Sequence, residues 1–207
     1  MLRPTSTTER RFRGKILGVG TTSGVRIVVG MWERSPFGPF TDVFLEQPDG
    51  TSVLLAPDEL VAAYVSGTYR FDSVAVVDVH ARRTARGLEL DAGPLRASIA
   101  VGDISPLGRI LRIVPKPIAR DPRWLAAIDP VARILAPGSG TAGSAGNGRR
   151  EYYGVTGAHD VTGVSGTWAG ESLGSIAPLD PPVAFGFASM PRIPQVVDVE
   201  TTIREPA

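Results

Sequence analysis

The chain contains no cysteine, which excludes disulfide staples, thiolate nucleophiles and cysteine-ligated metals and makes a cytoplasmic location the expectation. Histidine is nearly absent as well. His80 and His159 are the only two, and neither takes part in an HxH or HxxxH spacing, so no metal site is expected. No Walker-type phosphate loop and no Gly-x-Ser-x-Gly elbow occur. Gly18-Val19-Gly20 lacks the third glycine and following helix of a dinucleotide fold, so no cofactor is expected either. No apolar run reaches the roughly 18 residues of a membrane-spanning helix. Formal net charge is only +1, which removes the global field that draws a protein to nucleic acid. Residues 1–13 hold four arginines with no signal-like apolar run behind them and read as a flexible tail.

What is present is β signal. Val25, Ile27, Val29 and Met31 alternate with Arg26, Val28 and Gly30, the period of a half-buried strand. A second run over Asp42–Glu46 turns through Pro48-Asp49-Gly50 into residues 52–56. Residues 32–40 between the first two runs are too proline-rich for a ladder and read as a structured loop at the mouth of a sheet or barrel. Pro57, Asp58 and Glu59 open a helix whose apolar face is Leu60, Val61, Tyr64 and Val65, ending at Ser66-Gly67. Further β runs follow at 73–82, 87–92 and 95–101, punctuated as a meander.

Residues 105–136 break the rhythm. Ser105-Pro106, Asp121-Pro122 and Asp129-Pro130 each set an N-cap residue before a proline, which predicts three short helices. Ile110, Leu111, Ile113, Val114, Trp124 and Leu125 give them apolar faces, edged by Arg109, Arg112, Lys116, Arg120 and Arg123. Packing on the sheet, a lid, and a weak membrane-surface contact through 105–136 all stay open. The segment 137–148, PGSGTAGSAGNG, has nothing to pack and reads as a flexible linker. A second β block spans 149–203, with short glycine-interrupted strands expected around 151–155, 160–168, 172–176, 183–187 and 195–203. The chain is thus expected to be a single, mainly β domain. Two β blocks, 14–101 and 149–203, form an antiparallel barrel or sandwich with one short helix and the 105–136 excursion.

Candidate chemistry is sparse. Trp32, Phe37, Phe40 and Trp168 are candidates to line an apolar ligand pocket, with Glu33 and Arg34 orienting a polar ligand group. Acid-base candidates are Glu33, Arg34, Tyr152 and His159, the last directly before Asp160. His80 lies two residues after Asp78, so one strand face would carry both.

Three resemblances bear on this. Gly30-Met31-Trp32 and Gly166-Thr167-Trp168 match the Gly-x-Trp triplet of lipocalins, and their placement resembles proteins built from two lipocalin-like halves. SPFGPF, PDELVAAYV and the basic amphipathic run resemble an uncharacterised family of actinobacterial all-β proteins of this size, to which no activity is attached. Pro36-Phe37-Gly38-Pro39-Phe40 beside Glu33 and Arg34 is similar to a loop of acetoacetate decarboxylase-like barrels. That family works through a Schiff-base lysine, and neither Lys15 nor Lys116 sits in such a motif. The lipocalin resemblance implies non-catalytic binding of an apolar or aromatic small molecule. An acid-base isomerase, cyclase or lyase on the same scaffold is the alternative.

Overall fold

The computed structural model describes residues 7–119, 121, 123–125, 142–144, 146–183, 185 and 190–206. The first half runs β1 (Thr7–Thr21), β2 (Arg26–Arg34), β3 (Phe40–Glu46), β4 (Ser52–Ala56), α1 (Glu59–Ser66) and β5 (Ser73–Val76). It continues through the meander β6 (Val79–Thr84), β7 (Gly87–Ala92) and β8 (Leu95–Ile104), then α2 (Pro106–Leu111) and α3 (Lys116–Ala119). The second half adds β9 (Ala142–Ser144), β10 (Arg150–Trp168), the short β11 (Glu171–Ser172) and β12 (Ile176–Ala177), and β13 (Gln195–Pro206).

These strands form one curled, mainly antiparallel sheet, a half-barrel ordered β5-β4-β3-β2-β1-β13-β10-β8-β7-β6. The two expected blocks do pair, but not side by side. β10 and β13 of the second block sit in the middle and separate β1–β5 from β6–β8. β5 lies parallel to β4, α1 carrying the chain between them.

The flexible tail expected over 1–13 is strand from Thr7 onward, paired with β13 from Thr7↔Pro206 to Gly18↔Gln195. Ion pairs stand where apolar residues were sought: Arg10 Nε lies 2.9 Å from Glu205 Oε2, and Arg204 Nε lies 2.8 Å from Glu9 Oε1. Pairs this exposed contribute little, so backbone pairing and buried Phe12 hold the segment. Residues 1–6 lie outside the described residues. The expected run 73–82 divides because Val77 N–H still donates to Ala56 O on β4, while from Val79 the chain pairs with β7. Two short strands expected in the second block are instead the single β10, whose glycines are taken up as register shifts at Val155/Gly157, His159/Val161 and Val161/Gly163.

Of the helical excursion, Ser105 caps α2, its Oγ accepting from Gly108 N–H at 3.1 Å, and Asp121 Oδ1 accepts from Arg123 N–H at 2.7 Å ahead of a helical turn at 123–125. The third expected helix, at 129–130, lies outside the described residues. So does 137–141 of the expected linker, whereas Ala142–Ser144 pairs with β10 and so departs from a structureless connection. Glycine and small residues need no side-chain packing to join a ladder. No strand forms at Val183 or Phe185, and the rest of the run expected at 183–187 is outside the described residues.

The inner face of the sheet is covered, and so is the outer face over β2–β4, whereas β7 and β8 leave Asp91, Arg96 and Ser98 exposed. The inner face packs Leu17, Val19, Ile27, Val29, Val43, Leu45 and Leu55 against Leu88, Leu90, Leu95 and Ile99 from the opposite wall. The outer face of β2–β4 packs Val28, Phe44, Leu54 and Ala56 beneath Val61, Ala62 and Val65 of α1 and beneath Leu179, Val183, Phe185 and Met190. Alternation in β2 therefore does not mark a half-buried strand, since Arg26 and Val28 are buried as well. Arg26 is paired with buried Glu46 at 2.6 Å and donates to Pro181 O at 2.7 Å, which fastens the 178–194 excursion to the sheet.

Leu45→Ala on the inner face and Leu54→Ala on the outer are each expected to cost roughly 2–5 kcal/mol in denaturant unfolding. A cost near zero at Leu54 would show that the outer layer is not a core.

Candidate functional site

The inner face changes character toward one end. Above Leu17 and Val29 the paired positions become Lys15↔Met31 and Lys15↔Asp198, and residues directly opposite in antiparallel strands share a face. Lys15 Nζ and Asp198 Oδ1 form an ion pair across that rim. The register shifts in β10 bring His159 to the same level, its Nδ1 3.4 Å from Gly102 O. α2 closes the end: Ser105 N–H donates to Ala158 O at 3.1 Å, and Gly108 lies so close to the Ala158 backbone that a β-carbon would overlap it.

Two depressions result. A cleft of about 350 Å³ is lined by Arg13, Glu33, Arg112, His159 and Asp198, with Ile104, Leu111 and Val114 as its apolar wall. A more open groove of about 670 Å³ runs between β2–β3, through Lys15, Met31, Trp32, Glu33 and Phe40, and β6, through Val79, His80, Ala81, Arg82 and Arg83. Glu33 borders both. Barrel mouths are recurrent ligand sites, and both volumes fall in the range small molecules occupy.

The sequence candidates distribute unevenly. Glu33 and His159 meet in the cleft; Arg34 is exposed and lines neither depression. Tyr152 is buried in a separate cluster with Leu125 and Ala142, the guanidinium of Arg204 5.2 Å from its ring. Trp32 and Phe40 line the groove, whereas Phe37 packs on Tyr64, centroids 4.8 Å apart. Trp168 is at the far end of β10, packed against the inner core with its Nε1–H donating to Gln47 Oε1 at 3.3 Å. His80 and Asp78 are exposed, on and just before β6. Among the described residues, no three histidine, aspartate or glutamate side chains gather to hold a metal ion.

A second polar group lies on the outer face, and no motif announced it. Asp42 stands opposite Gly30 and accepts from Trp32 Nε1–H at 3.2 Å; a β-carbon at Gly30 would overlap both groups, so a larger residue there would push them aside. Glu151, completely buried, accepts from the hydroxyls of Tyr69 and, at 3.3 Å, Tyr153, which themselves lie 2.9 Å apart. Loss of solvation pushes Asp42 up to about 7 against the opposing Trp32 hydrogen bond. It pushes Glu151 to about 7 against its tyrosine hydrogen bonds and the charge of Arg149. Burial, then the Glu151 charge, holds both tyrosines well above the usual phenol range, so they stay protonated donors. The sequence signal for Asp42 is its place between Phe40 and Phe44 at alternate positions of one strand; Glu151, between Arg150 and Tyr152, carries none.

Two carboxyls raised on folding contribute stability that is fully present below about pH 4 and lost as pH rises through about 7. Wild-type stability is expected to fall between pH 5 and pH 8, by roughly 3 kcal/mol per group. Asp42→Asn and Glu151→Gln should each flatten that profile in urea titrations; an unchanged profile in both would refute the assignment.

In comparisons with known proteins, no family model, no curated protein and no solved structure matches this chain.

Proposed function

We propose that the protein binds, without transforming it, a small molecule that has a flat apolar or aromatic body and an anionic end, at the mouth of the half-barrel. The observation that carries this reading is the cleft itself. Arg13 and Arg112 border it, the Lys15–Asp198 pair neutralises itself at the rim, and Met31, Trp32 and Phe40 line the adjoining groove. Guanidinium groups stay charged at any working pH and recognise carboxylate or sulfonate oxygens in bidentate geometry. The body of the ligand then lies along the groove rather than in the barrel interior, which Leu17, Val29, Leu45, Leu90 and Ile99 fill. This keeps a lipocalin-like role and moves the ligand from an apolar interior to a charged rim.

Glu33 and His159 bordering one cleft favour the acid-base enzyme as the second reading. Anilinonaphthalene sulfonate, an aromatic anion, is a suitable probe for the first. Its fluorescence should rise saturably with wild-type protein, weaken as salt is raised, and weaken about tenfold or more in the Arg13→Ala/Arg112→Ala variant. Equal binding by the variant would refute the reading. Conversion of a compound co-purified from the host, abolished by His159→Ala, would replace it with the enzyme.

A weak contact with an anionic membrane surface is a further proposal, supported by the exposure of Ile110, Ile113, Ile118 and Trp124 beside Arg109, Arg112 and Arg123. Ile113, in the turn after α2, is 81% exposed, far more than the expected packing of this segment on the sheet would leave it. Sedimentation with anionic vesicles should be measurable at low salt, weaken as salt is raised, and be lost in Ile113→Glu. Sedimentation unaffected by that substitution would reject the contact.

A further inference from the structure

The outer-face carboxyls line neither depression at the mouth, although Trp32, which donates to Asp42, also borders the groove, and their hydrogen bonds do not balance. We propose that Glu151, Asp42 and Thr201 form the floor of a second site, which takes a small organic ammonium ion.

The hydroxyl protons of Tyr69 and Tyr153 are directed within the group to Glu151 Oε1 and to each other, and the Trp32 N–H is directed to Asp42. Glu151 Oε2 and Thr201 Oγ1 are left with no hydrogen-bond partner among the described residues, although Glu151 is 0% and Thr201 2% exposed. Buried polar atoms without partners are uncommon, and an ionised carboxylate oxygen can only accept. The partner that the ionised Glu151 lacks is therefore a donor. Placement agrees, because Thr201 pairs with Tyr153 across β13 and β10 and with Phe12 across β1, which puts its side chain on the same face as Tyr153 and Glu151.

Charge then selects among donors. The charged groups that face the cluster are Asp42, Glu151, Glu205, Arg10 and Arg149. Both guanidiniums are engaged with Glu205, at 2.9 and 3.1 Å, and pack on the Tyr64 ring, at 5.6 and 4.4 Å. Asp42 and Glu151 have no comparable counter-ion among the described contacts, so a cationic donor complements them better than a hydroxyl or amide. The tyrosine, tryptophan and phenylalanine rings beside them favour an organic cation through their π faces, whereas a divalent metal would need more oxygen ligands than two carboxylates supply.

Binding a cation requires the ionised carboxylates, so affinity should rise with pH through neutrality and complex formation near pH 7 should release protons. Benzylammonium is the probe, with benzyl alcohol as its neutral counterpart, both titrated calorimetrically into the full chain. Saturable benzylammonium binding is expected at pH 8, at least tenfold weaker at pH 5.5, with a heat near pH 7 that depends on the ionisation enthalpy of the buffer. Glu151→Gln should weaken it at least tenfold at pH 8 while leaving anilinonaphthalene sulfonate binding at the mouth unchanged, which separates the two sites. Should Glu151→Gln not fold, Thr201→Val and the wild-type pH dependence provide the test, the valine variant being expected to bind several-fold more weakly. The proposal is overturned if wild type shows no saturable binding at pH 8, if binding is the same at pH 5.5 and in the variants, or if benzyl alcohol binds equally well.

Discussion

The architecture depends on one strand being shared. β13 pairs along its whole length with β1 on one side and, from Gln195 to Arg204, with β10 on the other, and through it the wall β1–β5 and the wall β10-β8-β7-β6 become a single sheet. The curl that follows brings β3 and β6 near one another and closes the aliphatic core between the walls. It also places Asp198 beside Lys15 and brings His159 to the rim that carries Glu33. The mouth is thus a product of long-range pairing. Arg13, Lys15 and Glu33 on β1 and β2 would not approach His159 and Arg112 if β13 lay at an edge.

The outer layer has a different economy of forces. α1 and the 178–194 excursion convert what would be the wet side of an antiparallel sheet into a second core, and the polar residues there are desolvated with it. Arg26 and Glu46 meet that loss by pairing with each other, and Arg26 also donates to the carbonyl oxygens of Pro181, in the excursion, and of Gln47. Asp42 and Glu151 meet it incompletely, which is why their carboxyls are held so far above the usual range. A fold tolerates such groups at a cost in stability, and sites at which that cost is retained are disproportionately functional ones.

Much of the β content was legible because apolar alternation and turn residues are local signals. The meander at β6–β8, the hairpin through Pro48-Asp49-Gly50 and the capped start of α2 required nothing beyond neighbouring residues. Period-2 reading fails when a second layer covers the other face. Arg26, Asp42 and Glu46 alternate as solvent-facing residues should, and all three are buried because of helix and loop residues far along the chain. The strand at Thr7–Arg13 was hidden for the opposite reason, since its partners are charged residues nearly two hundred positions away, as with Arg10 and Glu205. Glu33 and His159 could be nominated by residue type, but not their meeting. Tyr152 stands beside Glu151 and Tyr153 in sequence, but alternation along β10 points it to the other face.

The central position of β13 also has a consequence for how the molecule is made. A ribosome delivers β1–β5 and β6–β10 before it delivers β13, so the nascent chain holds two walls whose facing edges, β1 from Thr7 to Gly18 and β10 from Arg150 to Asp160, lack their partner until β13 emerges. Unpaired edges of long strands are templates for pairing with other chains. The contacts that close the sheet are also among the most distant in sequence, which makes that closure slow. The charged residues at the start of β1, which contribute little to the finished fold, lie along one of those waiting edges, where like-charged arginines keep two nascent chains from joining.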